Sequence, residues 1–368
     1  GGEVIEGTFR WAVQHESGPR IVVFEVGGAI QLITYVKIRN PYLTIAGQTA
    51  PSPGITLTDG DRGGQLLIET HDVLVQHIRV LRSHCAPNWV RYACEPKPEA
   101  GITYDIDNQN YCRGGTVYQK CQEDVDCRTE GFSCIKSYVK ENFGLCSCND
   151  KDAINLIASN YGDVYNVVID HVSLGGANDE GITLTGGVHD VTVSNSIIAE
   201  NLQFGGHGWG LPTSLGMLIN VHNKRVSVLR NLFANNDHRN PVVEDGTTTL
   251  IANNMVYNPG LHAMHFDPGD EKTTILGNVL LPGEDTPGWT NDEKKIIRAK
   301  KLAAFNCPLE GCPSKLPLIH FKPSLPTAGP QIQFYEEDNT LTGVPVPADY
   351  TSVYDQVKKM DYLHERTL

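Results

Sequence analysis

Val226-Ser227-Val228-Leu229-Arg230-Asn231-Leu232-Phe233 sets β-forming residues before a polar break and apolar residues after it. The same order returns as Val167-Val168-Ile169-Asp170-His171-Val172-Ser173-Leu174 and Val191-Thr192-Val193-Ser194-Asn195-Ser196-Ile197-Ile198. It returns again as Thr249-Leu250-Ile251-Ala252-Asn253-Asn254-Met255-Val256 and Thr274-Ile275-Leu276-Gly277-Asn278-Val279-Leu280. With His171, Asn195, Asn231, Asn254 and Asn278 taken as equivalent, the steps are 24, 36, 23 and 24 residues. Three near-equal steps and one lengthened step describe a solenoid with a loop inserted in one coil.

Each such segment is too short to bury its inner face alone, whereas stacked coils pair their strands in parallel and share one core. An Asn repeated at one corner can bond the coil above and below, so that buried turn backbone keeps its partners. Less regular coils precede these at Leu43-Thr44-Ile45-Ala46-Gly47 and Val73-Leu74-Val75-Gln76-His77-Ile78-Arg79-Val80. A β-sandwich also has many short strands, but turns every 8–12 residues or so and no 24-residue self-similarity. The expected fold is all-β: a single right-handed parallel β-helix over residues 1–284. Phe9, Ala12 and Val13 fall at i, i+3 and i+4 and predict a short N-terminal capping helix. After about Pro282 the repeats are expected to cease. Residues 285–368, with helical patterns at Asn291–Ala304 and Thr351–Tyr362, are read as an irregular C-terminal tail and cap packed on the solenoid.

Ten cysteines occur in 368 residues, eight of them between Cys85 and Cys148 and the others at Cys307 and Cys312. Their spacing lacks paired C-x2-C knuckles for zinc. It reads as disulfides in a small stapled insertion at 85–148, and hence as a secreted, extracellular protein. The start at Gly1-Gly2, without Met, reads as processed or trimmed. No apolar run approaches the roughly 18–20 residues that span a bilayer. Net charge is −13 with pI near 5.4, which argues against nucleic acid or an anionic membrane as partner. The same field repels a polyanion, so an acidic substrate would need a local metal ion or arginine.

Two stretches could carry chemistry. Asp152, Asp179 and Glu180 lie one coil apart in the repeat register; three converging carboxylates suit a hard cation bound through oxygen, Ca²⁺ first. Ordinary turn acids give the same pattern. Asn235-Asn236-Asp237-His238-Arg239-Asn240-Pro241 follows the next strand, and an arginine there is by default solvated or ion-paired.

Asp152-Ala153-Ile154, Ile169-Asp170-His171, Asp179-Glu180, Val191-Thr192-Val193-Ser194 and Arg239-Asn240-Pro241 resemble, in order and spacing, the pectate lyase family. Gly7-Thr8-Phe9-Arg10, Ile21-Val22-Val23-Phe24 and Thr44-Ile45-Ala46-Gly47-Gln48-Thr49-Ala50-Pro51 resemble its opening coils, so that the likeness runs from about residue 5 to 282. The resemblance implies cleavage of an acidic polysaccharide, pectate or a related uronan, by β-elimination. Arg239 would be the base, Asp152, Asp179 and Glu180 the Ca²⁺ ligands, and His207, His238 and Asn240 substrate contacts. The chain departs from the family pattern at Thr183 (a carboxylate there), at Thr185 and Gln203 (lysines) and at Val242 and Glu244 (arginines). The base is kept while much of the cationic cradle is missing. The alternative is a non-catalytic β-helix serving as a glycan-binding or structural and assembly protein. A Gly206-His207-Gly208 motif also occurs in β-helical hydrolases, but the aspartates these need for acid–base work are missing around it.

Overall fold

The computed structural model describes residues 4–59, 64–82, 151–158, 162–202, 213–260, 263–267, 272–281, 283, 286 and 339, together with the strand backbones at 110–113, 120–121, 133–136, 319–321, 333–337 and 340–341. Three parallel sheets run the length of the solenoid. Sheet A has nine strands, from Arg20–Val22 to Gln333–Glu337, and sheet B nine, from Gly28–Leu32 to Thr340–Leu341. Sheet C has eight, from Val36–Ile38 to Ile319–Phe321. Each coil contributes one strand to each sheet, giving the right-handed parallel β-helix that parallel crossovers favour. Inward side chains repeat from coil to coil: Val167, Val191 and Val226 lie in register in sheet A, and Ile154, Ile182 and Met217 in sheet C. All are at most 1% exposed and belong to one continuous apolar core.

A second interaction holds the register. At the corner between sheets A and B, Asn254 is 1% exposed and its carboxamide is fully engaged. Its Oδ1 accepts from the Asn231 backbone N–H at 2.9 Å and from Asn231 Nδ2 at 3.1 Å. Its Nδ2 donates to Val228 O at 2.8 Å and to Asn278 Oδ1 at 2.9 Å. Asn278 repeats these bonds with Asn339, and the Ser196 backbone N–H donates to Asn231 Oδ1.

Hydrogen bonding divides the five residues aligned in the sequence into two columns. Val193 pairs with Val228, which places Asn195 opposite Arg230 and Ser196 opposite Asn231. His171 and Asn195 therefore join Arg230 and Asn253 in an outer column, all with φ between 50° and 57°. Asn231, Asn254 and Asn278 form the buried column. The ladder steps are 35, 23, 24 and finally 61 residues. Asn suits both columns, because its side chain tolerates the left-handed region and its amide also fits the ladder. The repeat alone therefore leaves a one-residue ambiguity that core packing resolves.

The solenoid also extends past the boundary expected at residue 284. Ile319–Phe321, Gln333–Glu337 and Thr340–Leu341 add one strand to sheets C, A and B in turn. The step from Asn278 to Asn339, more than twice the repeat, hides this coil in the sequence. At the other end, a π-helical turn at Trp11–His15 covers the first coil with Phe9 and Val13 buried. Arg10 there donates to the Thr34 and Tyr35 carbonyls at 2.8 and 2.6 Å.

In the insertion, Asn110–Arg113, Lys120–Cys121 and Ser133–Lys136 form a separate antiparallel sheet that sets Cys112 opposite Cys134. The cysteine side chains, the disulfide expectation, the remaining C-terminal tail and His207 all lie outside the described residues. No helix among the described residues is long and apolar enough to cross a membrane.

Replacing a ladder amide leaves its backbone partners buried and unbonded, at roughly 1–3 kcal/mol for each group. Asn254→Ala should lower unfolding free energy by about 3 kcal/mol or more in urea titrations. Glu25→Ala, at an exposed bend, should cost under about 0.5 kcal/mol.

Candidate active site

Ile154 pairs with Ile182 across adjacent strands of sheet C, and this register sets Asp152 beside Glu180 where the two strands begin. Asp152, Asp179 and Glu180 offer carboxylate oxygens that lie within 4.8 Å of one another, the one such cluster among the described residues. Asp152 is 5% exposed; its Oδ1 accepts the Glu180 backbone N–H at 3.1 Å. Its Oδ2 accepts from Asn155 Nδ2 at 2.7 Å and Gln65 Nε2 at 3.2 Å. Glu180 is 2% exposed, and the Thr183 hydroxyl donates to its Oε2 at 3.3 Å.

Arg239 reaches this cluster from two coils further along. Glu180 pairs with Leu215, and Leu215 bridges His238, so the arginine spans two strand spacings, roughly 9–10 Å. Its guanidinium Nη1 donates to Glu180 Oε1 in a buried ion pair. The backbone that aims it is held on both sides: Met217 N donates to Arg239 O at 2.6 Å, and Asn240 N to Ala263 O at 2.9 Å. Arg239 itself adopts φ 60°, a left-handed conformation that costs a non-glycine residue strain and recurs at functional sites. Gly216 makes the close approach possible, since a Cβ there would fall 2.5 Å from Arg239 O and would strike Asn240 Oδ1.

His238 and Asn240, expected at the substrate, are 4% and 1% exposed. The structure places them under the turn as its supports. His238 Nδ1 lies 3.1 Å from Asp237 Oδ2, and Asn240 Oδ1 accepts from Asn236 Nδ2 at 3.1 Å.

The electrostatics follow from two buried acids, Asp152 and Glu180, and a half-buried one, Asp179, clustered beside one guanidinium. Burial, and then the neighbouring Asp179 charge, push Asp152 up to about 7. Burial likewise holds Glu180 well above the usual carboxylate range, because Asp179 and Asp152 oppose what Arg239 contributes. Burial alone would lower Arg239, but Glu180, Asp179 and Glu244 outweigh it and keep the guanidinium charged. The carboxyls titrate as a set with more negative charge than the arginine balances.

Two basic residues that spacing did not single out, Arg82 and Lys151, lie near Asp152. Arg82 is buried 3.5 Å from Asp59, with its Nη1 donating to Gly64 O at 2.5 Å. Lys151, 5.1 Å above the Tyr35 ring, is lowered to about 8 by burial and then by Arg82. Their positions 69 residues apart in sequence, across the insertion, conceal the proximity. The strand glycine Gly216 was the available signal for a close backbone approach. Along the outer row of sheet C, Asn155, Thr183, Leu218, Val242 and His265 lie in register. These five positions bear no lysine or arginine; the row continues through Leu67 to Lys37, two strands before Asn155.

No family model matches the chain. It is 27% identical over 284 residues to a protein named probable pectate lyase C from Aspergillus flavus, covering 76% of this chain and 48% of that protein. Proteins of the same name from Aspergillus oryzae and Emericella nidulans are also 27% identical, over 284 and 281 residues. The chain thus spans about half the length of these relatives. Among solved structures, the major allergen from cedar pollen aligns over 97% of this chain and 84% of its own, with TM-score 0.45 and 14% identity.

The raised acids fix a pH dependence. Between the ordinary Asp value of 3.8 and about 7, the folded protein holds a proton at Asp152 that the unfolded chain has lost. Stability of the cation-free protein should therefore fall as pH rises through that window. Thermal melts in chelator from pH 4 to 7 should show the decline, and Asp152→Asn should flatten it.

Proposed function

We propose that this chain is an extracellular polysaccharide lyase that cleaves pectate or a related uronan by Ca²⁺-assisted β-elimination. The observation that carries the reading is the convergence of Asp152, Asp179 and Glu180 with Arg239, from three coils, at the start of the sheet C strands. Similarity to fungal proteins named probable pectate lyase C supports it. Secretion rests on the clustered cysteines read as disulfides.

The donor set fits calcium. Three carboxylates within 4.8 Å supply hard oxygen ligands, and burial together with neighbouring negative charge raises the proton affinity of Asp152 and Glu180. A Ca²⁺ ion held there would offset the substrate's carboxylate and the charge that develops beside it. The chain's own residues do the rest. Arg239 accepts the C5 proton on a guanidine nitrogen; the C5–H electron pair forms the C4–C5 double bond, and the C4–O4 bond breaks toward the leaving oxygen. A guanidinium ordinarily titrates above about 12, so Arg239 serves as base only where neighbouring cations lower it, and the reaction should favour alkaline pH. Thr183 orients Glu180, while Gly216 and Asn240 set the Arg239 turn.

A second reading, a non-catalytic glycan-binding or structural β-helix, draws on one observation. The stretch of outer row beside the acids, at Asn155, Thr183, Leu218 and Val242, lacks cations to grip a polyanion, and Glu244 stands where an arginine would serve.

Ultraviolet absorbance separates the two, because elimination leaves a double bond conjugated to the carboxylate, whereas hydrolysis and binding do not. With polygalacturonate at alkaline pH, absorbance should rise with Ca²⁺ and not with chelator. Arg239→Ala should lower the rate by about 10²–10⁴-fold while keeping the fold. A flat trace from the native protein across a panel of uronans would leave the non-catalytic reading standing.

A further inference from the structure

We infer that Arg239 is the resident counter-ion of the cation-free site, stowed on Glu180 and released toward the cleft when a divalent cation takes that carboxylate. The inference deepens the lyase reading and rests on its cation site.

Three carboxylates face one guanidinium there, and two of the three are 5% exposed or less. Buried negative charge of that density needs compensation; Arg239 supplies it at Glu180 by a direct hydrogen bond, and Arg82 acts on Asp152 from the preceding coils. Glu180 is the shared element. Its Oε1 holds the guanidinium, its Oε2 accepts from Thr183, and the same carboxylate offers an oxygen within 4.8 Å of those of Asp152 and Asp179. A divalent cation bound by the trio and a guanidinium on Glu180 repel each other across a few ångströms of largely water-free interior. The two therefore oppose each other's binding, and by linkage each weakens the other by one factor.

The consequence for function is directional. With Arg239 stowed, the site keeps a net negative charge and presents no free guanidinium to an acidic polymer. Once loaded, the trio is largely neutralised and Arg239 is available to a uronate ring. Thr183 matters to this exchange. A fourth carboxylate at that position would hold a cation while Arg239 stayed in place, whereas a hydroxyl leaves Glu180 to serve both.

Calorimetric titration of CaCl₂ into chelator-stripped native protein, Arg239→Ala and Arg239→Lys tests the linkage without any turnover. Arg239→Ala should bind Ca²⁺ at least about tenfold more tightly than native protein, and Arg239→Lys, which keeps the charge, within about threefold of native. The melting temperature of cation-free Arg239→Ala should fall below native and recover with Ca²⁺. Should that variant fail to fold, the native protein still answers through the arginine Nε–Hε resonance absent from the Arg239→Lys spectrum. Ca²⁺ should shift that resonance and speed its solvent exchange. Equal affinities within twofold, or a resonance that Ca²⁺ leaves unmoved, would overturn the stowed-arginine inference while leaving the cation site intact. Absence of Ca²⁺ binding to native protein and Arg239→Ala alike would remove the cation site, and the inference with it.

Discussion

A carboxamide buried at a corner of a solenoid has two protons and two lone pairs to satisfy, and no water to satisfy them. Asn231, Asn254, Asn278 and Asn339 solve the problem for one another, each bonding backbone and the next amide along the axis. Because each bond joins one coil to the next at a fixed corner, slipping a coil by one residue would break it and would turn the apolar faces outward as well. The rest of the molecule hangs on that registration. Asp152, Glu180 and Arg239 belong to separate coils, and Arg239 reaches Glu180 across 59 residues of sequence only because the intervening strands stack without offset.

The same constraint explains what could be read from the sequence. The all-β solenoid was legible because every coil repeats the same need for inward apolar residues and a polar corner. Exact register was not, since Asn195 and Asn231 look alike in a linear pattern although one sits in the left-handed column and the other in the buried ladder. The last coil was concealed for a related reason: Asn339 completes the ladder, but only after a 61-residue step that erases the periodicity.

At the site, the acidic residues and Arg239 could be named from spacing and family resemblance, but their coupling could not. An arginine in a polar loop gives no sign that it will be buried against an acid two coils away. Nor does the sequence say that His238 and Asn240 are spent on holding the turn. Lys151 beside Asp152 looks like one more surface lysine, and only the packing of Arg82 and Tyr35 against it makes it a buried cation. These are tertiary facts, set by which coils touch.

Charge ties the global and local descriptions together. A chain with net charge −13 and three clustered acids, two of them buried, is poorly suited to a polyanion unless positive charge is placed where the polymer lies. Scattered surface lysines would be screened within about 8–10 Å at physiological salt. A cation held in a low-dielectric cluster acts over the few ångströms where chemistry occurs and is screened far less. Around the acidic trio the outer row of sheet C carries Asn155, Thr183, Leu218 and Val242; its described lysine, Lys37, stands three strands from Thr183, while one arginine reaches the acids directly. If the proposed function holds, affinity for an acidic polymer would be a property of the cation-loaded site rather than of the surface, and the overall negative charge would cease to be an obstacle.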